Sequence, residues 1–405
     1  MRVERIYEQI SVILDDYLES LGMQVPRGPL RAAGELIRGI LWTGSVQLTN
    51  AARLRATSTS SLERTVKRLS RHLGNPRWDH QPWAKAILAQ QIGQLQPNDL
   101  IAIDATELAK PYARHLQYQC TVRDASRPKD PLVAGYWCWG AYLWQPQQDS
   151  LCPLMLCPYS PNQPWFRSEN HTWGQYFWTL RQSTAGRGIW LSDRGADRPE
   201  VLSAWLSLQP RWIIRLREDR RLIGPDGSVR SAGAWAQWAL SNRPERGRAV
   251  TLPVFLPSPQ VRQYGRPKRL WLVVPTYTFG NGENRWLLLT CGLIDQHLGP
   301  RQVRHDYALR WRSEDAKRFL GQVWHVEQFL TRSFMALERM LWCVVAAGGF
   351  LALLQRDEPD LTDRLQEQLL YWDKPLTLPG YRIARGLAMA ATREVCPVVA
   401  KPLGL

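Results

Sequence analysis

Three acidic residues in this chain have the type and placement for chemistry on a hard cation: Asp104, Asp193 and Glu314. In the run Ile101 to Arg114, IAIDATELAKPYAR, apolar and small residues lead into Asp104, which places that carboxylate at the end of a strand. The run Gly188 to Asp197, GIWLSDRGAD, repeats the arrangement. Three apolar residues feed a strand that ends at Asp193, and Arg194-Gly195 turns the chain. Two such strands paired in one sheet would bring both carboxylates within reach of one divalent ion, and carboxylate oxygens are what such ions prefer. Further on, Tyr307, Arg310 and Glu314 follow at spacings of three and four, one face of a helix. For each acid the competing reading is an ordinary helix cap or ion-pair partner.

The elements that must position these residues can be read in outline. Residues 1–95 read as helical, with short patterns over Leu30 to Leu41 and Leu48 to Leu54. A third helix opens on a capping box at Ser60-Ser61-Leu62-Glu63 and closes at Gly74-Asn75. Its apolar stripe is Leu62, Val66, Leu69 and Leu73, and its other faces carry Arg64, Lys67, Arg68 and Arg71. A small bundle with one basic helix suits a DNA major groove, and equally a solvated basic face.

Residues 96–217 read as alternating strands and helices: the Asp104 strand, a charged turn over Thr121 to Asp130, and strands over Leu132 to Trp144 and Leu151 to Leu156. A loop over 158–172, a helix over Trp173 to Gln182, the Asp193 strand, a helix over Pro199 to Leu206 and a strand over Trp212 to Leu216 follow. Residues 218–300 read as a separate β-rich piece, with strands over Val250 to Leu256, Arg269 to Tyr277 and Arg285 to Cys291. Residues 301–357 return to helix, and 358–405 form a short helix with an irregular tail. The fold class is α/β, preceded by an all-α segment.

Composition narrows the partners. The chain has 405 residues, 44% hydrophobic and 22% charged, which is a globular composition. Its formal net charge of +16 points to a polyanion, nucleic acid or an anionic membrane surface. The start, MRVERIYEQISVILDDYLES, has no uninterrupted apolar run and reads as neither signal peptide nor anchor. The longest apolar run, Leu341 to Leu354, falls short of the ~20 residues of a membrane span and reads as a buried helix. Seven scattered cysteines without a CxxC pair argue against a zinc or disulfide framework and fit a reducing cytoplasm. The 20 tryptophans belong to core or interface, with some free to stack on bases.

With these blocks in order, the chain resembles the DDE transposases of bacterial insertion sequences, in the branch called insertion-sequence family four. IDATELAKPYAR is similar to the first-Asp block, WLSDRGAD to the second, and Tyr307-x-x-Arg310-x-x-x-Glu314 to the tyrosine-arginine-glutamate signature. The resemblance covers roughly residues 30 to 350. It implies an RNase H-like catalytic core, residues 96–217 and 301–357, interrupted by the β-rich insertion and preceded by a DNA-binding domain. It implies cleavage at the element's ends and joining of the 3′-OH to target DNA by cut and paste. Two Mg2+ or Mn2+ ions would serve each site, with Asp104 bridging and Asp193 and Glu314 each completing one.

Tyr307 and Arg310 would grip a phosphate, Trp286 would stack a flipped base, and Lys110, Arg114 and Arg194 would contact DNA. The signature's lysine, seven residues after its glutamate, is Gly321 here, so Lys317 or Arg318 would take over its placement of the DNA end. The partners implied are double-stranded DNA, as terminal inverted repeats and target, and a second copy of the chain, with no membrane; the setting is bacterial cytoplasm, beside the nucleoid. An inactive, transposase-derived DNA-binding protein and a nuclease of the same fold without strand transfer are the alternatives.

Overall fold

The computed structural model describes residues 3–22, 27–54, 58–125, 127–129, 131–209, 211–242, 249–257, 262–263, 266–276, 286–294, 298–367 and 379–395. The chain opens with helices α1 (Val3–Gly22), α2 (Arg27–Thr43), α3 (Leu48–Arg53), α4 (Thr59–Leu73) and α5 (Gln81–Ile92). Strands β1 (Leu100–Ala109), β2 (Cys120–Arg123), β3 (Leu132–Gln145) and β4 (Ser150–Tyr159) follow. Next come α6 (Glu169–Thr184), β5 (Ile189–Ser192), α7 (Pro199–Leu208), β6 (Trp212–Arg215), β7 (Arg221–Ile223), β8 (Val229–Ser231) and α8 (Ala232–Asn242). Then β9 (Ala249–Val254), β10 (Arg262–Gln263), β11 (Arg266–Pro267), β12 (Leu270–Pro275) and β13 (Leu288–Cys291) complete the strands. The last helices are α9 (Pro300–Ala308), α10 (Arg312–Gln322), α11 (Phe334–Asp357), α12 (Pro359–Glu367) and α13 (Pro379–Val395). The chain divides into two compact units: Met1–Gln94, Ala105–Phe166 and Glu314–Leu405 form the first, Leu95–Asp104 and Arg167–Ser313 the second.

The first unit is built around α11. This helix is apolar on nearly every side, so it is stable only where protein surrounds it. It packs on β4, α2, α4 and α5. The Leu341 to Leu354 run is indeed buried, but the helix holding it has 24 residues. By length and composition that helix could cross a membrane, and 83% of its apolar window is covered by the fold. Two adjacent glycines allow the approach of its neighbours. A Cβ at Gly348 would lie 2.6 Å from Pro153 of β4, and one at Gly349 2.5 Å from Gln91 of α5. Tyr17 of α1 donates its hydroxyl to the Ala346 carbonyl at 2.8 Å. Arg339, 1% exposed, donates to the carbonyls of Leu73, Asn75 and Trp78, satisfying the end of α4 and the turn after it. Beside these helices β3 pairs antiparallel with both β2 and β4.

In the second unit, the first half of β1 pairs parallel with β5 and β5 with β6, and β13, β12 and β9 continue the sheet antiparallel. Against it lies a chain of aromatics, Trp173, Phe177, Trp190, Trp205 and Trp212, with successive ring centroids 5.5 to 6.1 Å apart. All five are buried, so these tryptophans are core.

Several expectations shift. Strand β1 continues five residues past Asp104 to Ala109, because its second half finds another partner in β3: the Lys110 amide just beyond it bonds the Ala134 carbonyl of β3 at 2.7 Å. Asp104 is therefore within a strand, not at its end. The charged Thr121 to Asp130 stretch begins inside β2, whose Cys120 and Val122 face inward. The 218–300 stretch contains a helix, α8, and its strands β9, β12 and β13 extend the sheet beyond β6 rather than forming a sheet of their own. The cap of α4 is Ser58, whose hydroxyl accepts from the Ser61 amide, not the Ser60 box. The tail carries two helices, α12 and α13, within its described residues.

Candidate functional site

The site grows from the carboxyl edge of three neighbouring parallel strands. Ile103 pairs with Ser192 and Ser192 with Ile214, and there the parallel ladder stops. The next residue of each chain is Asp104, Asp193 and Arg215, so those three form the first row beyond it. Residues in register on parallel strands share a face, and open α/β sheets bind ligands outside such edges.

Each member of the row is held. Arg310 donates from Nη1 to Asp104 Oδ2 at 3.4 Å, with side chains 11% and 14% exposed. Asp193 caps the 3₁₀ turn Arg194–Ala196 by accepting from the Gly195 amide at 2.7 Å. The turn is anchored behind by Asp197, fully buried, which accepts from the Arg217 amide at 2.8 Å and pairs with Arg220 at 2.7 Å. Tyr307, 3% exposed, has its phenol pushed up to about 12. Burial is the largest cause, the guanidiniums of Arg310 and Arg215 oppose it, and the Asp193 carboxylate reinforces it. Trp286, half-buried, meets the Tyr307 ring edge-on at 5.3 Å. Two carboxylates, two guanidiniums, a phenol and an indole thus converge on one sheet edge, a set that can hold a cation and a phosphodiester together.

Tyr307, Arg310 and Glu314 do not lie on one continuous helix. Helix α9 ends at Ala308, a 3₁₀ turn runs Leu309–Trp311, and α10 starts at Arg312. Tyr307 and Arg310 belong to the second unit and Glu314 to the first. Glu314 lies in the first turn of α10, with Lys317 Nζ 3.5 Å from its Oε1. It lines a cleft of 480 Å³ in the first unit together with Glu107, Lys317, Arg318 and Gly321. A Cβ at Gly321 would have nothing within 4 Å, so the missing lysine side chain would fit. Among the described residues, no group of three or more His, Cys, Asp or Glu is placed to hold a metal ion. Asp104 and Asp193 carry the carboxylate oxygens that a hard divalent cation prefers.

The other basic residues differ in burial. Lys110 donates to the backbone carbonyls of Glu327 and Phe329 at 2.8 and 2.6 Å and lies over the Phe329 ring, so it is a packing residue. Its ammonium pKa is lowered by burial, with Glu327 opposing. Arg68 pairs with buried Glu35, whereas Arg64, Lys67 and Arg71 stand exposed on α4. Arg114, Arg194 and Arg318 are exposed. The residue that sequence reasoning missed is Arg215. Its signal was available: WIIR is a short strand beside the Asp193 strand, and its last residue falls on the same carboxyl edge.

No family model matches the chain, and neither does any curated protein. Among solved structures it is similar to the cryo-EM structure of a piggyBac transposase synaptic complex with hairpin DNA. Sequence identity is 11% and the TM-score 0.47, over 98% of this chain and 80% of that one.

Proposed function

We propose that the chain is a divalent-metal-dependent DNA transposase that cleaves at insertion-sequence ends and joins the freed 3′-OH to target DNA. The observation that carries this reading is the row Asp104, Asp193 and Arg215 on the carboxyl edge of three adjacent parallel strands, with Arg310 and Tyr307 beside it. Membership of insertion-sequence family four rests on the three sequence blocks, and the mix of antiparallel strands on β3 with parallel strands on β5 supports an RNase H-like core.

In this reading Asp104 and Asp193 would hold Mg2+ or Mn2+, and Glu314 is proposed as the third carboxylate on the sequence signature alone. Bound there, the ions would activate water and stabilise the leaving 3′-oxygen. Arg310 and Arg215 would receive the non-bridging oxygens of the scissile phosphate through their forked donors. Tyr307 stays protonated at neutral pH and donates to a phosphate oxygen. Exposed Arg64, Lys67 and Arg71 contact duplex DNA, and a second copy of the chain would hold the other end.

The test is cleavage of DNA carrying the element's own ends with Mg2+ or Mn2+, comparing the intact protein with Asp193→Ala. End cutting that Asp193→Ala abolishes supports the reading. Binding of the ends by both proteins with no cutting under either metal overturns it. That second result would match a DNA-binding relic, which the guanidinium on Asp104 and the ammonium on Glu314 favour as the alternative.

A further inference from the structure

A large cleft of the first unit shares no residue with the carboxylate row. It measures 860 Å³ and is walled by the loop after β1 and the segment leading into α11. Tyr112, Arg114, His115, Arg127, Leu330 and Arg332 line it. Tyr112 is 85% exposed and Leu330 70%, so a planar ring and an aliphatic side chain stand in water at its rim. Its two acids are already engaged: Asp124 pairs with Arg127 at 3.0 Å, and Glu327 accepts from the Ala109 amide at 3.0 Å. Arg114, His115 and Arg332 are exposed, and among the described residues no carboxylate pairs with either arginine. The surplus charge is therefore positive, and Arg127, 5.9 Å from the Tyr112 ring centroid, braces that ring from one side.

We propose that this cleft binds a single-stranded segment of nucleic acid, with Arg114 and Arg332 on its phosphates and an unstacked base on the open face of Tyr112. Duplex DNA keeps its base faces inside the stack, so an exposed ring is useful only to an unpaired base. An acidic peptide would use the arginines and gain nothing from the ring. The proposal stands apart from the catalytic reading, since none of its residues belongs to the carboxylate row.

The experiment measures fluorescence anisotropy of a short labelled oligothymidylate and of a labelled duplex with the full chain, without divalent metal. Tyr112→Ala should weaken oligothymidylate binding about tenfold and leave duplex binding unchanged, while Tyr112→Phe retains binding. The double change Arg114→Gln with Arg332→Gln should lower the salt slope for the single strand by about 1.4. Equal losses for strand and duplex, no loss in Tyr112→Ala, or displacement of the oligonucleotide by polyglutamate at equal charge would each overturn the assignment. Asp193→Ala should bind oligothymidylate as the intact protein does, so failure of the cleft and failure of the catalytic site are told apart.

Discussion

Replacing Arg310 with methionine removes the guanidinium that faces Asp104 at 3.4 Å while keeping an aliphatic stem of similar reach. Two unit charges at that distance interact by ~5 kcal/mol at an effective dielectric of 20. Both side chains are largely buried, 11% and 14% exposed, so screening by water is limited. Relaxation and the desolvation already borne by the pair reduce the net effect to ~1–3 kcal/mol. In the intact protein a divalent cation binding Asp104 must displace or tolerate this positive charge. Arg310→Met should therefore raise Mn2+ affinity by about 10- to 100-fold, at 1.4 kcal/mol per decade. Calorimetric or spin-resonance titration of Mn2+ into the protein without DNA reads this directly, with Asp193→Ala as the opposing variant that should lose the ion. An unchanged Mn2+ affinity in both variants would refute the view that Asp104 and Asp193 form a cation site. Tighter binding in Arg310→Met that Asp193→Ala does not reverse would place the ion elsewhere.

Arg339→Met should cost ~3–5 kcal/mol in urea unfolding, because it leaves the buried carbonyls of Leu73, Asn75 and Trp78 without their charged donor. Glu338, half-buried beside it, has its carboxyl raised from 4.5 to about 7, burial outweighing the attraction of Arg339. Between those values the folded state binds the extra proton, so stability should fall as pH rises from 4.5 to about 7 and level off above. Glu338→Gln should remove that slope and stabilise the protein at pH 8 by on the order of 3 kcal/mol, read from urea midpoints across the range. On α4, changing exposed Lys67 and Arg71 to alanine should lower the salt slope of duplex binding by about 1.8 and leave stability within ~0.5 kcal/mol. Arg68→Ala should do the reverse, barely altering DNA binding and costing ~1–3 kcal/mol because Glu35, 6% exposed, loses its partner.

What the sequence determined by itself was set by local pattern. Apolar runs with β-branched and aromatic residues marked β3, β4, β5 and β6, and the all-round apolar run marked the buried helix α11. Gly74 closed α4, where its amide bonds the Ser70 and His72 carbonyls. Tertiary structure decided what depends on a distant partner. Strand β1 outruns Asp104 because a second stretch of chain offers it hydrogen bonds, information that no local window contains. The spacing of Tyr307, Arg310 and Glu314 fits a helix, yet the backbone tightens to 3₁₀ at Leu309–Trp311, so the three do not share one continuous helix. Charge alone cannot tell Lys110 from Arg114 or Arg68 from Lys67. One of each pair is drawn inward by carbonyls or a buried carboxylate from elsewhere in the chain, and the other is left to solvent. The row Asp104, Asp193 and Arg215 exists only through strand register, which is fixed by which chains lie side by side and not by the residues of any one of them.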